Sequence, residues 1–219
     1  MGKIVFEELV DKLFKIGAIK FGAFKLKFHE KNPKAPLSPF YINLRMPPAG
    51  PLTQEIVDEI GKYLWALISV SVRHHYSYVS GVPQAGEPFA KALLELFKWS
   101  DGWRIKLRKA TTKNGYRFIE MAEERYIVDG SDQSVVLLVD DLITGAESKV
   151  ETIMALRSAG FIVRDVVVVI DREQGGKEYL EKKGKKVHSL FKISDLLKYY
   201  FKKGKISEEK YDEARFYLG

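Results

Sequence analysis

The sequence predicts an α/β fold, a mostly parallel sheet flanked by helices on both faces, preceded by a helix and a β-hairpin. Three observations predict it. From residue 77 onward, apolar runs of strand length alternate with amphipathic runs of helix length, the pattern that feeds a parallel sheet. Two of the strand-length runs, 135–139 and 166–170, are continuously apolar, as strands covered on both faces are. Residues 21–44 alternate instead, in two runs around the Pro-rich break Asn32-Pro33-Lys34-Ala35-Pro36, the pattern of a hairpin with a long tip.

Each element follows in order. Ile4, Val5, Leu9, Leu13, Phe14 and Ile16 recur near helical spacing and predict a helix over 3–20. Strands are expected over 21–28 and 40–44, then a loop over 46–51. Thr53 is placed to cap a helix running from 54 to about 70. A strand at 78–80 leads into the turn Gly81-Val82-Pro83-Gln84-Ala85-Gly86, followed by a helix over 88–99 and a strand over 103–108. Residues 109–117 are polar, carry a Gly and show no apolar period, so a mobile loop is expected there. The strand over 135–139 ends in Asp140-Asp141, and a helix over 148–159 closes at Gly160. The strand over 166–170 ends in Asp171-Arg172. A short helix finishing at 180–183, a last strand over 186–189 and one or two amphipathic helices over 194–217 complete the chain. There are no internal repeats.

Composition excludes several function classes. The chain has 219 residues and no Cys, so there is no disulfide framework, thiolate metal site or Cys nucleophile. No stretch reaches the roughly 18 uncharged apolar residues of a membrane-spanning helix, and acids stand near the N-terminus where a signal peptide carries its apolar run. A cytoplasmic chain with no membrane partner is expected. The 36 basic and 29 acidic side chains give a net charge of +7. The two signs are mixed, and the densest basic runs, 182–186 and 202–205, sit at Gly-containing turns. Nucleic acid is therefore not expected as the main partner.

In open parallel sheets ligands bind at the carboxyl ends of strands, which directs attention to 81–86, 108–117, 140–148 and 171–176. The strongest signal is Val135-Val136-Leu137-Leu138-Val139-Asp140-Asp141-Leu142-Ile143-Thr144-Gly145-Ala146-Glu147-Ser148. A buried strand delivers two carboxylates to the rim of the sheet, and a loop of small residues then enters a helix whose N–H groups attract an anion. Acids that accept from sugar hydroxyls beside amides that hold a phosphate suit a ribose phosphate.

This segment resembles the phosphoribosyl pyrophosphate (PRPP) motif of the type I phosphoribosyltransferases. Other segments narrow the resemblance to the orotate phosphoribosyltransferases: 21–27 and 38–45 resemble that family's N-terminal hood hairpin. Gly81-Val82-Pro83 is similar to its first sheet loop, Arg108-Lys109-Ala110-Thr111-Thr112-Lys113-Asn114-Gly115 to its basic catalytic loop, and Asp171-Arg172-Glu173-Gln174-Gly175-Gly176 to its strand-end signature. The resemblance covers nearly the whole chain, and its tail stops without a decarboxylase domain, which suggests the monofunctional form.

The resemblance implies the type I phosphoribosyltransferase fold, with a hood over 1–50, a catalytic core over 51–193 and a helical tail over 194–219 packed on the core. It implies transfer of phosphoribose from PRPP to orotate, giving orotidine 5′-monophosphate and pyrophosphate. Mg²⁺ would be held mainly by PRPP and water, with no dedicated protein cage. Asp140 and Asp141 would hold the ribose hydroxyls, and Thr144, Gly145, Ala146, Glu147 and Ser148 the 5′-phosphate. Arg108, Lys109 and Lys113 would neutralise pyrophosphate, with Lys113, Asp140 and Asp141 as the catalytic set. Lys27, the Tyr41-Ile42 backbone, Thr144 and Arg172 would meet orotate, Arg172 through its carboxylate. The basic loop would reach the neighbouring subunit's site in a homodimer. None of the four histidines is given a catalytic role.

Three positions depart from the family pattern: Thr112 with Lys113 one place later, Gln84 where many members carry Lys, and Glu147 where a small hydroxyl or Gly is usual. A carboxylate beside a phosphate is unfavourable unless it turns outward or meets a cation such as Lys149. Two other readings stay open at this level: a phosphoribosyltransferase for another base, and a catalytically silent relative that binds nucleotides or RNA.

Overall fold

A computed structural model describes residues 2–30, 32–72, 76–97, 104–112, 115, 117–122 and 134–219. Helix α1 (Gly2–Lys15) buries Leu9 and Leu13. It ends five residues before the expected boundary because Gly17 takes a positive φ of 71° and turns the chain into β1 (Ile19–Phe24). Strand β1 pairs antiparallel with β2 (Ser38–Ile42), Ile19 facing Ile42 and Phe21 facing Phe40. The hairpin is as expected, but its first strand is displaced. Residues Lys27–Glu30 form one 3-10 turn, closed by buried His29, whose Nδ1 accepts the Leu26 N–H at 2.8 Å and whose Nε2 lies 3.0 Å from Pro36 O.

Helix α2 (Gln54–Ser71) begins where Thr53 Oγ1 accepts the Ile56 N–H at 3.4 Å. There follow β3 (Tyr78–Gly81), α3 (Glu87–Phe97), β4 (Arg104–Ile105), β5 (Leu107–Thr111), β6 (Arg117–Met121), β7 (Val135–Ile143), α4 (Glu147–Ser158), β8 (Ile162–Asp171), α5 (Gly176–Lys182), β9 (Lys186–Lys192), α6 (Ile193–Lys202) and α7 (Glu208–Leu218). Five strands form one sheet in the order β4-β3-β7-β8-β9, with β3 parallel to β4 and β7, and β7 parallel to β8.

The loop expected over 109–117 is a correction. Strands β5 and β6 pair antiparallel as a separate ribbon, Arg108 facing Glu120 and Lys109 facing Ile119. Its period is masked because only Leu107 and Ile119 among its residues are buried, and charged side chains fill most other positions. Strand β8 also begins before its apolar run. Asp165 directly precedes that run, yet it is fully buried, taking the Tyr76 hydroxyl at 2.5 Å and lying 2.7 Å from His188 Nε2. A buried acid supported in this way stays inside a strand despite its polarity.

The chain divides into two compact units, Met1–Ile56 with Phe191–Gly219, and Val57–Leu190. In the first, the tail helices join the N-terminal segment: Tyr200 Oη donates to Val10 O at 2.9 Å, and the Tyr217 ring meets Phe40 edge-on at 5.9 Å. The tail's described partners in this unit are α1 and β2, with aromatic rings on both sides. In the second unit, β7 is buried on both faces. Val136 and Leu138 join Val166, Val168, Leu156 and Leu180 in one cluster, while Leu137 and Val139 are buried on the opposite face. Each such side chain contributes roughly 1.5–3 kcal/mol by leaving water, so the centre of the sheet is a rigid base for the loops at its carboxyl edge.

Candidate active site

Two loops are tied to the carboxyl end of β7. On one side Val139 O accepts the Val82 N–H at 2.8 Å, and a Cβ added to Gly86 would collide with Val139 O and lie 3.1 Å from Asp140 Cα. On the other side Ile143 O accepts the Arg172 N–H at 2.9 Å, and Thr144 O accepts the Gly176 N–H at 3.0 Å. A Cβ on Gly176 would stand 2.5 Å from Thr144 O, so only glycine permits this approach. Lys109 Nζ, from the ribbon, donates to Gln84 Oε1 at 3.3 Å. The four segments singled out by the strand-end rule are therefore brought to one edge. The two non-glycine residues with positive φ among those described, Gln84 (76°) and Glu173 (54°), both lie in these loops, where backbone strain tends to be kept for function.

Asp140 and Asp141 sit within β7 rather than beyond it, 3% and 8% exposed. Lys149, in the first turn of α4, is 2% exposed. Its Nζ donates to Asp140 Oδ2 and to Leu142 O, each at 2.5 Å. The other Asp140 oxygen accepts the Asp141 N–H at 2.9 Å, so both are engaged within the chain. Asp141 Oδ1 accepts the Leu142 N–H at 2.7 Å. Burial, reinforced by the neighbouring Asp140 charge, pushes the Asp141 carboxyl up to about 8, against the opposing pull of Lys149.

Helix α4 starts without a side-chain cap: its N-cap is Ala146, which offers no oxygen. The first-turn N–H groups therefore face Thr144, Gly145 and Ala146 in the arrangement that draws anions. Glu147 is exposed, and its carboxylate folds over Gly145, where an added Cβ would meet both carboxylate oxygens.

The chain is 32% identical over 194 residues to an orotate phosphoribosyltransferase of Methanocella arvoryzae, a span of 88% of this chain and 97% of that protein. It is 32% identical over 214 residues to one from Pyrobaculum islandicum, covering 96% and 97%. The chain belongs to the orotate phosphoribosyltransferase family. No family model matches it. A crystal structure of orotate phosphoribosyltransferase from Aeropyrum pernix has the same fold, with a TM-score of 0.69 over 91% of this chain and 99% of that one at 23% identity. The architecture is thus that of a type I phosphoribosyltransferase.

Within this orotate phosphoribosyltransferase scaffold, the residues singled out from sequence fall into distinct groups. Asp140, Asp141, Thr144, Gly145, Ala146, Glu147 and Ser148 lie on one continuous turn from strand to helix, and Arg172, 6% exposed, is hydrogen-bonded to its base through Ile143 O. Arg108 and Lys109 are neighbours on a strand and project to opposite faces. Arg108 Nε is bound to Glu120 Oε1 at 2.8 Å, whereas Lys109 reaches Gln84. Lys113 lies outside the described residues, as do His74 and His75. Tyr41 and Ile42 are on β2 in the other unit, where Tyr41 packs on Phe24 at 5.6 Å. Lys27 opens the 3-10 turn of that unit rather than standing on a strand; its side chain lies outside the described residues.

One residue went unassigned by sequence reasoning. Lys149 is weighed there only as a cation for Glu147, but it is buried on Asp140 instead. The signal was present: Lys149, Thr152 and Leu156 are the buried residues of α4 and share one face at helical spacing. A lysine on an inward stripe needs a buried acid to meet it.

Proposed function

We propose that this orotate phosphoribosyltransferase transfers the 5-phosphoribosyl group of PRPP to orotate, giving orotidine 5′-monophosphate and pyrophosphate, a step of pyrimidine biosynthesis. The observation that carries the proposal is that β7 delivers a carboxyl pair and an uncapped helix start to one edge of the sheet, in a chain that matches orotate phosphoribosyltransferases over almost their whole length.

In the reaction a ring nitrogen of orotate gives up its proton to solvent or to the departing pyrophosphate and bonds to the ribose C1 as the C1–O bond to pyrophosphate breaks, its electron pair leaving with pyrophosphate. The protein's work is positioning and charge stabilisation. In this reading the backbone N–H groups of 144–148 hold the 5′-phosphate. Asp141 accepts from a ribose hydroxyl with Asp140 behind it, Arg172 forks onto the orotate carboxylate, and Lys109, with Arg108 and Lys113, draws the pyrophosphate. Both Asp140 oxygens are already taken, so the donor set suits a Mg²⁺ held by substrate oxygens and water, and no side chain is assigned to it. When bound there, Mg²⁺ spreads the charge of the leaving pyrophosphate. The reading includes a cytoplasmic homodimer whose basic ribbon serves the neighbouring subunit, supported by the family resemblance of residues 108–115.

The test is direct. Purified protein with orotate, PRPP and Mg²⁺ should form orotidine 5′-monophosphate and pyrophosphate in equal amounts, and none without PRPP. Folded protein that forms neither over a range of temperatures would refute the proposal; turnover with another base but not orotate would reassign the substrate.

A further inference from the structure

Lys149 is a buried cation that the transfer reaction as described does not use. It enters from α4 and binds Asp140 Oδ2, the oxygen not taken by the Asp141 N–H, and Leu142 O at once. An ammonium buried to 2% exposure is tolerated only with strong partners, and here those partners are the first acid of the pair and a carbonyl two residues further along the same strand. Asp140 is thereby closed off, one oxygen on Lys149 and the other on the Asp141 N–H. Asp141 has a second oxygen beyond the one that receives the Leu142 N–H, with the Asp140 carboxyl beside it.

We infer that Lys149 is a positioning residue: it fixes Asp140 as an internal counter-charge, so that Asp141 is the carboxyl of the pair that meets the ribose. This rests on the phosphoribosyl transfer proposed above. It divides the pair into two unequal roles, where the family resemblance gave both acids to the ribose hydroxyls. The charge balance gives the division a consequence. With both acids ionised the buried trio carries −1. Without Lys149 it would carry −2 in the same volume, so the proton that Asp141 already holds at neutral pH would be retained to still higher pH. The charged groups that bear on Asp141 are Asp140 on its own strand and Lys149 from α4; from β8, Asp171 stands in register with Ile143 and Arg172 follows it. Lys149 is the cation bound directly to the pair.

The test uses Lys149→Met, close in volume and uncharged, Lys149→Arg, and the double variant Asp140→Asn/Lys149→Met, which returns the trio to −1 with a neutral pair. Lys149→Met should raise the PRPP KM at neutral pH by tenfold or more and move the acid limb of kcat/KM upward by about one pH unit or more, the usual effect of losing a neighbouring opposite charge. The double variant should bring the limb back and recover most of the loss, and Lys149→Arg should retain the wild-type limb. An unmoved limb in Lys149→Met, or equal losses in the single and double variants, would overturn the inference in favour of a packing role. Carboxyl NMR titration of Asp141 in folded wild-type and Lys149→Met protein reads the same upward shift without turnover. An unshifted Asp141 sinks the inference even in an active enzyme, and a shifted one supports it even if the wild type fails to use orotate.

Discussion

Asp140, Asp141 and Lys149 are each less than a tenth exposed; the two acids accept backbone N–H groups of their own strand, and Lys149 is bound across to that strand from α4. On the β5–β6 ribbon, by contrast, the Arg108 side chain is 65% exposed and its partner Glu120 35%. Both regions concentrate charge at the same edge of the sheet, but in opposite physical settings. The buried trio is pre-organised, and its charges act at low effective dielectric, where a displaced or unpaired group is costly. The ribbon's charges are hydrated, screened by salt and cheap to rearrange. Substitutions in the first region should therefore couple activity to stability and pH, whereas those in the second should alter substrate handling and leave the fold alone.

Asp141→Asn is the largest way to test that division. On the proposed reading, loss of the acid assigned to the ribose should lower kcat/KM by about 100-fold or more. Stability should move the other way. The folded carboxyl sits at about 8 against an ordinary 3.8, so between those values the native state holds a proton that the unfolded chain has released. Wild-type stability thus falls as pH rises from about 4 to about 8, and the full cost persists above that. Asparagine removes the ionisation, so the variant should be more stable than wild type at pH 8.5, with the gap closing toward pH 4. Urea unfolding at several pH values checks this; a variant less stable at pH 8.5 would place Asp141 in the supporting structure instead.

How far the sequence shows this division differs between the two regions. The buried strand, the acid pair and the glycine-bearing loop were legible because five apolar residues before two acids form a pattern that local chemistry reads directly. The partner of Asp140 was not, since an inward lysine and an outward one look alike until the helix face is fixed by Thr152 and Leu156. The ribbon was mistaken for a loop because two-stranded antiparallel hairpins with little core carry weak periodicity. The tail's partners were hidden for a different reason: the hydrogen bond from Tyr200 to Val10 spans 190 residues, and no local pattern encodes such a pairing.

Lys109 stands at the meeting point of the two regions, through Gln84. Lys109→Ala should raise the PRPP KM by about tenfold at low ionic strength, with the difference shrinking as salt is added, and change unfolding free energy by no more than about 0.5 kcal/mol. A stability loss comparable to that of a core substitution would show that the ribbon is part of the rigid base.

Glu147 reverses the sign. Its exposed carboxylate lies over Gly145, beside the uncapped start of α4, where on the proposed reading it would repel an arriving phosphate. Glu147→Ser should lower the PRPP KM several-fold with little change in kcat, because the repulsion acts on binding rather than on the breaking bond. An increased KM would mean that the carboxylate orders the loop, and the contact with Gly145 would then be constructive.

Arg108→Ala should have the smallest effect within one subunit. The Arg108–Glu120 pair is exposed on both sides, a setting worth about 0–1 kcal/mol, and strand alternation turns Arg108 away from the face on which Lys109 meets Gln84. A rise in PRPP KM of about threefold or less is expected if the ribbon serves only its own site. A loss equal to that of Lys109→Ala would mean that the face bearing Arg108 also meets substrate, as it would if the ribbon reached across a dimer. Mixing Arg108→Ala with Asp141→Asn subunits separates the cases. If the ribbon acts in trans, each mixed dimer contains one site with an intact Asp141 and, from its neighbour, an intact Arg108, so its active site should show the wild-type PRPP KM rather than that of Arg108→Ala. If it acts in cis, every site keeps one defect, and the mixture should give only the average of its parents.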